Sequence, residues 1–154
     1  MHVKIPNHAK ITGYPNSSSI WITTEDFVFY IDGVKYIIPA GFVFDGYSIP
    51  RFIRFWRTNN NGWGIEAALI HDFMYRFHSY FGFSRKFCDE VFLKVMKMYG
   101  LKTAKTKYRA VRMFGGMFFG DGNGKPNRKV RRAMERNVDS WKEYRKDVMV
   151  FNKL

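Results

Sequence analysis

Short runs of β-branched and aromatic residues fill positions 20–44, broken by turn formers. Residues 28–31 and 34–38 flank Asp32-Gly33, a dipeptide favoured in tight primed turns where φ must be positive, so a hairpin is expected there. Residues 20–23 should add a strand to it. Pro39 closes the second strand because proline cannot donate to a ladder. A further strand is expected over 41–44. Residues 1–19, with Pro6, Gly13, Pro15 and three serines, read as an irregular arm or a short edge strand.

Beyond residue 44 the pattern changes. Asp45-Gly46-Tyr47-Ser48-Ile49-Pro50 is turn chemistry leading into a helix, with Ser48 able to cap and Pro50 near the first turn. Residues 51–57 alternate arginine with aromatic residues as a short helix. Residues 58–64, with three consecutive asparagines and two glycines, form a loop able to act as a lid. Two longer helices are expected over 65–80 and 84–99, the second capped by Ser84 and stopped by Gly100. Their short link makes them an antiparallel hairpin. A third helix runs from Thr103 towards Phe119, weakened by Gly115 and Gly116, which close backbone packing would explain. The last, over 128–146, sets Val130, Met134, Val138 and Trp141 on one side and basic residues on the other. The expected fold class is α+β: a small N-terminal antiparallel sheet followed by a helical part. One domain covers 1–154, with 1–49 mainly β, 50–120 helical and holding the candidate site, and 121–154 a basic C-terminal helix.

Composition sharpens this picture. At 46% hydrophobic and 19% aromatic residues, a packed core needs no covalent staple. Cys88 is the sole cysteine, so an internal disulfide and a multi-cysteine zinc site are both excluded, which fits a reducing compartment or a virion. No signal peptide and no apolar run of about 18 residues is present, so the expected location is the virion or the host cytoplasm. The net charge of +13 is uneven. Residues 1–90 hold nine Lys and Arg against eight Asp and Glu, whereas residues 91–154 hold seventeen against five. Nucleic acid, anionic membrane or an acidic protein surface could therefore bind through residues 94–146, with Lys129, Arg131, Arg132 and Trp141 as contacts. No recognised nucleic-acid motif is present, so base-specific readout is not expected.

The chemistry concentrates between residues 67 and 96, where His71, Asp72 and Asp89 stand among residues that otherwise read as core. On a helix His71 and Tyr75 share one face, while Asp72 is turned by about 100°. Asp89, on the next helix, can face back to His71. A neutral imidazole is a good base near neutral pH, and a carboxylate fixes its tautomer. The same pair can also be a satisfied polar contact within a core. The turn 121–127 does not fit a calcium loop, because Lys125 and Pro126 stand where an oxygen ligand and a glycine are needed and no Glu closes it.

Three strings occur in order: Phe44-Asp45-Gly46-Tyr47-Ser48-Ile49-Pro50, then Ala67-Ala68-Leu69-Ile70-His71-Asp72-x-x-Tyr75-Arg76, then Asp89-x-x-Phe92. Over residues 40–120 the chain thereby resembles an uncharacterised family common in tailed phages and prophages. The segment around His71 and Asp89 also looks like the helix pair of the phospholipase A2 superfamily. That second resemblance implies His71 as general base for water and Asp89 as the group that orients it, with Tyr75 supporting the network. It further implies Asp72 as a Ca2+ ligand, with the 44–48 turn as calcium loop. Departures are plain: there are no disulfides, the loop is poor in glycine, and Asp45 offers a carboxylate where backbone carbonyls are expected. Two functions are therefore expected as alternatives. One is a metal-assisted hydrolase of ester or amide bonds using Ca2+ or Zn2+, with Asp72 and Asp45 toward the metal and Ser48 and Arg76 near the substrate. The other is a non-enzymatic virion or assembly protein that binds other phage proteins or nucleic acid.

Overall fold

The computed structural model describes residues 1–15, 17, 20–45 and 64–136. The chain divides into two compact units, one of His2–Gly46 with Gly124–Leu154 and one of Tyr47–Asn123 with Met1. The architecture is α+β, with antiparallel sheets first and helices after.

In the first unit six short strands make two three-stranded antiparallel sheets. Strands β1 (Val3–Lys4), β4 (Phe27–Ile31) and β5 (Val34–Ile38) form one, in the order β1-β4-β5. Strands β2 (Ile11–Gly13), β3 (Trp21–Thr23) and β6 (Val43–Phe44) form the other, in the order β2-β3-β6. The hairpin is present, with Ile31 opposite Val34. Both central residues have positive φ, 47° at Asp32 and 84° at Gly33, as a primed turn demands. Along β4 the side chains of Phe27, Phe29 and Ile31 are buried in alternation with Val28 and Tyr30, and Phe29 stacks on Tyr36 with centroids 5.3 Å apart.

One expectation is corrected. Residues 20–23 do not extend the hairpin, because β3 pairs with β2 and β6. Thr23 explains the choice. Its buried hydroxyl donates to the Pro39 carbonyl at 2.7 Å and accepts from the Phe42 amide at 2.9 Å, so the chain after β5 is folded back onto β3. Residues 1–19, expected as an irregular arm or a short edge strand, supply two short edge strands, β1 and β2, one to each sheet.

The helix α5 (Arg128–Glu135) belongs to this unit. Asn127 caps it, its side-chain oxygen accepting from the amides of Lys129 and Val130 at 3.0 Å. Val130, Ala133 and Met134 pack with Tyr14, Ile20 and Val43. That is the apolar face expected from the sequence, as far as Met134. Val138 and Trp141 lie outside the described residues.

In the second unit α1 (Ile65–Phe81) and α2 (Arg85–Met98) form the expected antiparallel pair. Ser84 caps α2, accepting from the Phe87 amide at 3.2 Å. Leu69, Ile70, Phe73 and Met74 of α1 and Cys88, Val91, Val95 and Met96 of α2 are each fully buried. The ladder of α1 is interrupted at Phe77 (φ −115°, ψ 16°). The turn beyond it is tied to residues 120–122: Ser79 donates from its hydroxyl to the Asp121 carbonyl and from its amide to the Gly122 carbonyl. The single third helix expected to reach Phe119 is two, α3 (Ala104–Phe114) and α4 (Gly116–Phe119). Gly115 sits at the join, where a Cβ would come within 2.5 Å of the Tyr75 hydroxyl.

Candidate functional site

The site is assembled by three helices of the second unit. Helix α1 places His71 and Tyr75 on one inward face, α2 places Asp89, and α3 places Arg112. Four residues separate His71 from Tyr75, so their rings lie one turn apart with centroids at 4.1 Å. Phe92, one turn after Asp89 on α2, lays its ring against His71 at 4.6 Å.

Asp89 is the hub. Its carboxylate is wholly buried, and three donors converge on it. His71 Nε2 lies 2.9 Å from Oδ1, the Tyr75 hydroxyl donates to the same oxygen at 2.5 Å, and Arg112 Nη1 donates to Oδ2 at 2.7 Å. Burial alone would push the carboxyl upward, but the hydrogen bonds from His71, Tyr75 and Arg112 outweigh it and hold Asp89 below the usual carboxylate range. An ionised carboxylate only accepts, so Nε2 carries a proton, and in the neutral ring Nδ1 carries the lone pair. Among the described residues no group bonds Nδ1 of His71.

The neighbours answer to the same charge. Burial, then the Asp89 carboxylate, drives the Tyr75 phenol well above its ordinary value, so it stays a donor. The bond to Asp89 raises the Arg112 guanidinium further, although that side chain is 32% exposed. Burial and the same carboxylate push the Cys88 thiol up to about 12, which leaves it a core residue rather than a nucleophile.

The remaining candidates fall elsewhere. Asp72 is half-buried on α1, one position past His71. Arg76 is buried in the same helix, 7% exposed. Asp45 belongs to the first unit, is buried, and accepts from the Asn127 side chain at 3.1 Å. Lys129, Arg131 and Arg132 are exposed on α5. Ser48, Trp141, the 51–57 helix and most of the 58–64 loop lie outside the described residues. Among the described residues no three His, Cys, Asp or Glu side chains are grouped to hold a metal. No described helix is long and apolar enough to cross a membrane.

Sequence reasoning missed Arg112. It is one of seven Lys and Arg residues between 91 and 120, and no local pattern separates it from the others. Only the contact of α2 with α3 reveals it.

No curated protein and no solved structure matches the chain. Residues 21–111 match the family described as "Protein of unknown function (DUF1353)", a stretch that includes His71, Tyr75 and Asp89 and stops one residue before Arg112. That match covers more than half of the chain, and the protein is a member of this family.

Proposed function

We propose that the chain is a phage- or prophage-encoded hydrolase in which His71 activates water against an ester or amide carbonyl. One observation carries the reading: Asp89 engages the Nε2 edge of His71 at 2.9 Å, which leaves Nδ1 as the basic edge. Nδ1 takes a proton from water as the water oxygen attacks the carbonyl carbon. Asp89 stabilises the imidazolium through Nε2–H, and the proton then passes to the departing alkoxide or amine. Tyr75 and Arg112 keep Asp89 oriented and ionised while this happens. The likeness to the phospholipase A2 helix pair supports ester substrates, and the order of the three motifs supports a phage setting, in the virion or in the host cytoplasm.

The test uses wild-type, His71→Asn and Asp89→Asn proteins on a panel of phospholipids, carboxylic esters and peptide amides. Each substrate is tried with added Ca2+, with added Zn2+ and with a chelator. Turnover by the wild type that falls about a hundredfold or more in His71→Asn, with the fold retained by circular dichroism, is the expected result. A folded wild-type protein that turns over none of these substrates sinks the reading.

A second reading has its own observation. Asp89 is completely buried and ion-paired with Arg112, as suits a polar clasp in a virion structural or assembly protein. Such a protein would bind other phage proteins or nucleic acid through its basic C-terminal part. His71→Asn would then lower the unfolding midpoint with no turnover to lose.

A further inference from the structure

Between Glu90 and Asp121 the chain has no acidic residue and seven Lys or Arg. All of these except Lys107 and Arg112 are exposed. One outward line of α3 runs Lys105, Arg109, Met113, each four residues from the last, so the three stack along one face. Gly115 keeps right-handed helical dihedrals (φ −62°, ψ −21°), and Met117 follows Met113 one turn further on. Met113 is 74% exposed, Met117 71% and Phe118 40%. A basic stripe therefore ends in an apolar tip.

The tip is firmly held. The Gly115 amide donates to the Val111 carbonyl at 2.7 Å, and Arg85 Nη1 donates to the Arg112 carbonyl at 3.1 Å. Phe119, next to the exposed Phe118, meets Tyr75 edge-on at 5.0 Å and lies flat on His78 at 3.7 Å. Three large apolar side chains fixed outward within six positions form a patch of the kind that marks an interaction surface. Methionine, being flexible and polarisable, suits an irregular apolar phase.

We infer that this face docks on an anionic lipid surface. Met113, Met117 and Phe118 enter the acyl boundary, while Lys102, Lys105 and Arg109 meet the phosphate headgroups. Charge complementarity selects this occupant, because the stretch carries no carboxylate to repel such a surface. Nucleic acid would meet the same cations but offers the two methionines no apolar phase. The docking does not depend on hydrolysis at His71. It does reach the site, since Arg112, the residue before Met113, holds Asp89 Oδ2.

The test is flotation of the full chain with vesicles of phosphatidylcholine alone and with vesicles containing about one-third phosphatidylglycerol. Wild type is expected to float with the anionic vesicles and not with the neutral ones. The triple variant Met113→Ser, Met117→Ser, Phe118→Ser, altered only at exposed positions, should partition at least about tenfold less. Lys105→Glu with Arg109→Glu should lose binding as well. Wild type that fails to float with anionic vesicles, or a triple variant that floats equally well, overturns the proposal. Oligonucleotide binding that persists in the triple variant, without flotation of the wild type, assigns the basic face to nucleic acid instead. The His71→Asn protein floats like wild type whether or not turnover is found, so failure of docking and failure of the hydrolase are read separately.

Discussion

Asp89 bears more on this protein than any other single side chain, because three donors on two other helices are oriented by one buried carboxylate. Asp89→Asn keeps the shape and removes the charge, leaving Arg112 and the Nε2–H of His71 facing a neutral amide. Leaving the buried donors without their charged acceptor costs about 1–3 kcal/mol, readable as a fall in unfolding free energy in urea. The acid limb of stability should change too. The folded-state carboxyl titrates below its unfolded value, so its contribution is complete above about pH 4. That contribution is lost as pH falls through the lower folded value. Denaturation curves below about pH 4 should therefore be flatter for Asp89→Asn than for wild type, and an unchanged acid limb would mean that Asp89 is not held as described.

Helix pairing was legible in the sequence because Ser84 and Gly100 mark the ends of α2 and the apolar spacing marks its inner face. The hairpin was equally legible, since Asp32-Gly33 can adopt positive φ at little cost. Less local facts were hidden. Thr23 directs β3 into the second sheet through bonds to residues 39 and 42, and no periodicity within residues 20–23 encodes a partner so far along the chain. Of the site, His71, Tyr75 and Asp89 could be placed together from helical spacing, whereas Arg112 depends on how α3 lies on α2. The glycines at 115 and 116 signalled close packing, and Gly115 shows what it serves. Gly115→Ala would drive a methyl group against the Val111 carbonyl and the Tyr75 hydroxyl and loosen the Tyr75 bond to Asp89. Overpacking of this kind costs about 1–3 kcal/mol. The thermal midpoint should fall accordingly, and Gly115→Ala combined with Tyr75→Phe should lose less than the two single changes summed.

Across the chain, charge and chemistry are separated along the sequence. The nearly neutral first ninety residues contain both sheets and the His71–Asp89 pair, and the strongly basic remainder supplies α3, α4 and α5. The family match ends one residue short of Arg112, before the exposed methionines and α5, so much of the basic sequence lies past the stretch that defines membership. The interruption of α1 at Phe77 adds a division in stability. Before it, the helix is locked into the interior by Leu69, Ile70, Phe73 and Met74; after it, Ser79 and His78 are tied to the 120–122 turn. A helix broken between two different anchorages need not open all at once. Amide hydrogen exchange followed residue by residue should show a step at Phe77. Amides from Phe73 to Arg76 should exchange only when the interior unfolds. Those at Tyr80 and Phe81 should exchange far sooner, in a local opening that leaves His71 and Asp89 joined.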